Sequence, residues 1–234
     1  MRRYTPVQKI AIVLYVFAVA LDLTGLALGA DWIWIQRIGK SLLMPALILF
    51  VWGSNKAGIR SNWLLLALFF SWLGDLFLIG SGPQWFILGL GSFLLAHLSY
   101  LAVFHVDAMF SSTSFLRKKP VIAVAVIGIG ASLLLLLWPF LREMKVPVAV
   151  YATVITVMAL AGIGRYGNRK ETPAKAVAIG VLLFMLSDSL LALNKFGHDL
   201  VVIPLAGIWV MVTYVLAQAA IVWGVTTATE RLED

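Results

Sequence analysis

Eight long apolar runs follow one another along this 234-residue chain, and only short polar stretches separate them. A run of roughly 20 apolar residues is what an α-helix needs to cross the hydrocarbon core of a bilayer. In lipid the backbone can satisfy its own hydrogen bonds only as helices or a closed barrel. On that ruler the spans fall at about 8–30, 38–53, 62–80, 84–106, 119–141, 146–164, 174–194 and 199–226. The breaks carry turn chemistry, as in Gly53-Ser54-Asn55, Ser81-Gly82-Pro83, Ser111-Ser112-Thr113-Ser114, Gly167-Asn168-Arg169 and Gly197-His198-Asp199. Only 12% of residues are charged and 62% are hydrophobic, against roughly 25% charged in an ordinary soluble domain. The mean hydropathy is +0.97. So few polar groups cannot cover a soluble fold. The sequence therefore predicts an all-α integral membrane protein, a bundle of eight transmembrane helices forming one transmembrane domain over 1–234. Span two is short and span eight long, so both are expected to tilt or kink.

The same pattern excludes several classes. Without cysteine there is no disulfide, no thiolate metal site and no cysteine nucleophile. The net charge of +7 sits in short breaks between apolar runs and forms no continuous basic face, which argues against a nucleic-acid partner. Met1-Arg2-Arg3 before an apolar run resembles a leader, but Ile10 to Ala30 is longer than a leader's apolar core and reads as the first span. With the N-terminus cytoplasmic, the inner segments hold Arg2, Arg3, Lys9, Lys56, Arg60, Arg117, Lys118, Lys119, Arg165, Arg169, Lys170, Lys175 and Arg231, and the outer ones only Arg37, Lys40, Arg142, Lys145 and Lys195. That bias places both termini in the cytoplasm, with a bacterial inner (cell) membrane as the expected location. A weak repeat sets Trp72-Leu73-Gly74-Asp75-Leu76-Phe77-Leu78 beside Met185-Leu186-Ser187-Asp188-Ser189-Leu190-Leu191, and the same offset brings Tyr100 next to Tyr214. Such a repeat would divide the bundle into two parallel four-helix halves.

A carboxylate at the centre of a spanning helix costs about 3 kcal/mol to insert, so such groups mark functional sites by default. Asp22, Asp75 and Asp188 are the three here. At 1.5 Å per residue, Asp75 and Asp188 lie roughly 7–10 Å below the outer ends of their spans and Asp22 roughly 12 Å, which puts all three in the outer half. Ser71 stands one turn before Asp75, and Gly74 permits close approach of a helix or substrate. Ser187 and Ser189 flank Asp188, with Asn194 further along the same face. Tyr15, two turns before Asp22, offers that carboxylate a local partner. The plain alternative is that these groups are hydrogen-bond glue between helices.

Lys40 opens span two at the unfavourable end of the helix dipole and wants an anion, either an outer-half aspartate or a lipid phosphate. Arg37 beside it reads as an interfacial anchor. His97 and Tyr100 share one face of span four, where His97 is either a packed core residue or a group orienting the site. Tyr214 and Gln218 on span eight suit interhelical hydrogen bonding. Gly162-Ile163-Gly164-Arg165-Tyr166-Gly167 matches a dinucleotide fingerprint only as a string, because no strand precedes it. Gly25 and Gly29 suggest a small-residue packing face. His97, His105 and His198 fall at three different depths, so no metal site is expected, and no cofactor.

Taken in order, Lys40, Ser71-x-x-Gly74-Asp75, Ala96-His97-x-x-Tyr100, Ser187-Asp188 and Tyr214-x-x-Ala217-Gln218 resemble the YhhN-like lysoplasmalogenase family over about residues 35–225. One departure stands out. The family pattern places proline directly after the lysine of span two, whereas Ser41 follows Lys40 here and proline stands at 45. The resemblance implies a multi-pass hydrolase that cleaves the sn-1 vinyl ether of lysoplasmalogens to a fatty aldehyde and a glycerophospho-base. It implies Asp75 and Asp188 as the functional pair, with a lysophospholipid and the surrounding membrane lipids as partners. Vinyl-ether hydrolysis needs a general acid and a negative charge facing an oxocarbenium ion, which two carboxylates in different environments supply. In that chemistry Lys40, with Arg37, is a candidate to hold the phosphate. The alternative is a small transporter or proton-coupled carrier using the same carboxylates as a relay. A third reading is a non-catalytic lipid-binding or assembly protein.

Overall fold

The computed structural model describes residues 4–54, 58–104, 114–168 and 172–228. Arg2, Arg3, Lys56, Arg169, Lys170, Arg231 and His105, used above, lie outside the described residues, as do Asn55 and Ser111 to Thr113. Among the described residues there is no strand. The described residues include eight helices long and apolar enough to cross a membrane: α1 (Pro6–Leu28), α2 (Ile33–Trp52), α3 (Ile59–Ile79), α4 (Pro83–Phe104), α5 (Pro120–Leu137), α6 (Lys145–Asn168), α7 (Thr172–Phe196) and α8 (Ala206–Ala228). The chain is a multi-pass membrane protein. It divides into two compact units, 1–103 and 104–234.

In the first unit α1 and α2 form a tight hairpin. Thr5 caps α1 by accepting from the Gln8 N–H, and the Gln8 side chain accepts from the Thr5 N–H in return. The Thr5 hydroxyl also donates to the Gly53 carbonyl at 2.9 Å, closing the open end of the hairpin. In the middle, a Cβ on Gly25 would come within 2.3 Å of the Gln36 backbone nitrogen, and one on Gly39 equally close to that of Asp22. The close-packing pair is therefore Gly25 with Gly39, not Gly25 with Gly29. Gly29 ends α1 at φ 88°, a conformation that favours glycine, and a 3₁₀ turn over Ala30–Trp32 leads into α2.

Span two is thus longer than the sequence ruler gave. Its helix begins at Ile33, because Gln36 and Arg37, which looked like the end of a break, continue it. Lys40 consequently lies about 10 Å inside α2 rather than at its opening, and the dipole argument for its anion lapses. Span eight is shorter than expected. The chain from 199 onward stays irregular through Pro204 and Leu205, the latter at φ 56°, and α8 starts only at Ala206. The core of the first unit is built on Leu43, Met44, Leu64, Leu68 and Tyr100.

In the second unit α7 and α8 approach closely, since a Cβ on Gly180 would meet the Ala217 carbonyl at 3.0 Å and one on Gly224 that of Pro173 at 2.6 Å. Leu137, Met158, Phe184 and Ile221 fill this unit's core. A one-turn helix (Phe115–Lys118) precedes α5, and Pro139 closes α5 in a 3₁₀ turn over Trp138–Phe140. The string from Gly162 to Gly167 lies inside α6, where no phosphate loop exists. The Arg165 guanidinium, one of the cations assigned to an inner break, is buried and stands 5.8 Å from the Phe104 ring centroid.

Candidate functional site

The polar residues of the first unit gather around Lys40. Its Nζ stands 3.8 Å from Asp75 Oδ1, and both side chains are nearly enclosed, at 12% and 2% exposure. Lys40 is also within electrostatic reach of Asp22. Asp22 is fully buried and its Oδ1 accepts from Gln36 Nε2 at 3.1 Å. Tyr15, expected as a local partner of Asp22, is within electrostatic reach of Asp75, Tyr100 and Asp22. Ser71, His97 and Tyr100 are fully buried in the same unit. The space left by the missing side chain of Gly74 is filled by the Phe93 ring, which a Cβ there would meet at 2.6 Å.

The register of α2 on α3 has a local cause. Pro45 has no N–H, so the Ser41 carbonyl one turn earlier loses its helical donor. The indole Nε1 of Trp72 supplies one from α3 at 2.9 Å. Ser41 adjoins Lys40, and Trp72 lies one turn before Asp75. The exchange of a backbone donor for an indole therefore fixes the two helices where lysine and aspartate meet.

In the second unit Asp188 is half-buried and accepts from the Tyr151 hydroxyl of α6 at 2.5 Å. Its flanking serines face elsewhere: Ser187 donates to the Val210 carbonyl on α8 at 2.9 Å, and Ser189 to the Met185 carbonyl on its own helix. Asn194 is exposed near the end of α7. Tyr214 packs edge-on against Phe184 at 5.4 Å between centroids, and Gln218 is fully buried. Measured to their helix ends, Asp75 lies about 6 Å in, Asp22 about 9 Å and Asp188 about 12 Å. Asp188 is deeper than the sequence ruler gave because α7 runs on to Phe196, and Asp22 is shallower because Gly29 stops α1.

Sequence reasoning missed Gln36 and Tyr151. Gln36 sat in what looked like a break, and Tyr151 was one aromatic among many in an apolar run. Among the described residues no group of three His, Cys, Asp or Glu could hold a metal ion. What the two arrangements offer is acid–base and electrostatic chemistry: a lysine–carboxylate cluster in one unit and a phenol–carboxylate pair in the other.

Comparison with known proteins covers most of the chain. The YhhN family matches residues 35–225. A protein named lysoplasmalogenase from Mycobacterium bovis is 29% identical over 182 residues, 73% of this chain and 67% of its own. Lysoplasmalogenase TMEM86B of Sus scrofa is 31% identical over 188 residues, covering 80% and 74%. Lysoplasmalogenase TMEM86A of Homo sapiens is 28% identical over 208 residues, covering 86% and 82%. No solved structure matches.

Proposed function

The chain belongs to the YhhN family, and from that premise we propose that it is a lysoplasmalogenase, an ether-bond hydrolase acting on lysoplasmalogens within the membrane. The observation that carries the activity is that bacterial and mammalian relatives bearing this one name align over roughly three quarters or more of the chain. The proposed chemistry uses Asp188 as general acid and Asp75 as the stabilising base. A proton passes from the Asp188 carboxyl to the outer alkene carbon, leaving an oxocarbenium ion at the carbon that bears the ether oxygen. Asp75, paired with Lys40, faces that cation and takes a proton from the attacking water. The hemiacetal then collapses to a fatty aldehyde, and the ether oxygen leaves as the free hydroxyl of the glycerophospho-base. Tyr151 holds the Asp188 carboxyl in one orientation. Lys40 serves Asp75 in this reading, which leaves the exposed Arg37 to meet the phosphate.

Turnover of a lysoplasmalogen by detergent-purified protein, read as aldehyde released, tests the activity. Its absence under conditions where a mammalian relative is active would overturn the reading. The proposal also keeps both termini on the cytoplasmic side, in a bacterial host at the inner membrane. Tags at the two ends should then report from the same compartment.

A further inference from the structure

Among the described residues the buried carboxylates are Asp22 and Asp75, and the proposed reaction gives a task only to Asp75. Asp22 is fully enclosed yet half satisfied. Its Oδ1 accepts from Gln36 Nε2 at 3.1 Å, while its Oδ2 has no donor among the described residues. A buried acceptor without a donor is costly, more so when charged, and native structures keep few of them. Gln36 and Lys40 stand one turn apart on α2 and therefore share a face. Beside them Gly39 brings α2 against the backbone of Asp22, where a Cβ would stand 2.3 Å from the Asp22 nitrogen and 2.9 Å from its Cα. Asp22 thus meets the stretch of α2 that carries both side chains, and Lys40 is within electrostatic reach of it.

Lys40 also faces Asp75, with its Nζ 3.8 Å from Oδ1. Tyr15, between Ala11 and Ala18 on the buried stripe of α1, is within electrostatic reach of both carboxylates, so they belong to one enclosed cluster. One ammonium therefore serves two carboxylates. Lysine suits this arrangement, because its flexible stem and three donors let it change partner without moving a helix. We propose that Asp22 is a second seat for the Lys40 ammonium, which holds Asp75 in the resting site and passes to Asp22 Oδ2 once Asp75 has taken a proton from the attacking water. Asp22 is then a positioning residue, acting through Lys40 and touching no substrate. The second half of the proposal rests on the lysoplasmalogenase reading and deepens it. As the O–H bond of the water breaks and its proton joins Asp75, that carboxyl becomes neutral and an enclosed cation loses its counter-charge, which is a costly state. Asp22 supplies the anion, and its second oxygen gains a donor.

Melting temperature and turnover of the full chain in detergent test this. With either carboxylate present Lys40 keeps a counter-charge, so Asp22→Asn and Asp75→Asn should each change the melting temperature little. Together they leave the ammonium enclosed and uncompensated, and the loss should far exceed the sum of the two. Adding Lys40→Met to the double variant should restore stability, and this rescue gives the answer even if the double variant does not fold. In active enzyme Asp22→Asn should lower kcat on the order of tenfold, the size of one coupling between neighbouring groups, and leave KM unchanged. A merely structural role would move the melting temperature instead. Additive melting losses, no rescue by Lys40→Met, or a wild-type kcat in Asp22→Asn would overturn the proposal. A wild type that releases no aldehyde, with melting losses that are non-additive and rescued, would overturn the lysoplasmalogenase reading and leave Lys40 assigned to both carboxylates.

Discussion

Asp75 and Asp188 stand in matching sequence strings, yet the structure gives them different company. Asp75 is enclosed and faces the ammonium of Lys40, whereas Asp188 is half-buried and faces the phenol of Tyr151. The residue before each differs in the same spirit. Gly74 leaves room for Phe93, while Ser187 spends its hydroxyl on the backbone of α8. A repeat in one helix therefore does not repeat a site, because the helix packed opposite decides what a carboxylate meets. Two carboxylates with unlike partners are what a reaction needing both a proton donor and a stabilising anion can use.

The largest effect that sharpens this contrast is loss of either carboxylate. Asp75→Asn and Asp188→Asn should each lower turnover at least a hundredfold while the protein stays folded, since general acid–base groups typically contribute 10²–10⁴-fold. Asp22→Asn should be milder, because Asp22 is held by Gln36 within the α1–α2 hairpin. Near-normal turnover in both of the first two variants would return the carboxylates to a structural role.

Next comes Lys40→Met. Removing one partner of an enclosed ion pair should destabilise the protein by about 3 kcal/mol, read as a lower melting temperature. Adding Asp75→Asn should recover most of that stability and none of the activity. A melting temperature indifferent to Lys40→Met would erase the difference between the two regions.

Tyr151→Phe should act on the other side alone. A hydrogen bond between a phenol and a protonated carboxyl contributes about 0.5–1.5 kcal/mol, so turnover should fall by up to about tenfold. The melting-temperature response to Lys40→Met should be the same in its presence, which a double-mutant cycle would read. The smallest expected effect is that of Trp72→Phe, about 1 kcal/mol of stability for one lost hydrogen bond. Replacing Pro45 by alanine returns an N–H to the Ser41 carbonyl, so Trp72→Phe should cost less in that background. An equal cost in both would mean that the indole matters only as packing.

The eight helices were legible because apolar runs near 20 residues admit no other solution in lipid, and the described residues follow them closely. The ends were less so. Gln36 and Arg37 read as a break until the structure showed that one faces Asp22 and the other is exposed on the same helix. Lys40, Asp75, Asp22 and Asp188 could be picked out because charge in a spanning helix is costly. Their partners could not. Gln36, Tyr151 and Trp72 carry common side chains whose meaning depends on which helix they oppose, and one chain's periodicity does not contain that information. Pro45 was visible as a residue, but its consequence, a carbonyl answered by an indole 31 positions further along the chain, exists only once α2 and α3 are packed.

The α1–α2 hairpin bears on how the chain enters the bilayer in the first place. Asp22 leaves the ribosome before its partner does, and α1 alone would carry an unanswered carboxylate into hydrocarbon at about 3 kcal/mol. Gln36 lies 14 residues further along, and the glycines at 25 and 39 allow the contact that delivers it. The two helices should therefore be released into lipid as one folded pair, with the first waiting at the insertion machinery for the second. A bulky residue at Gly39 would then show its effect during biosynthesis, as poor yield of membrane-integrated protein, before any assay of the mature enzyme could detect it.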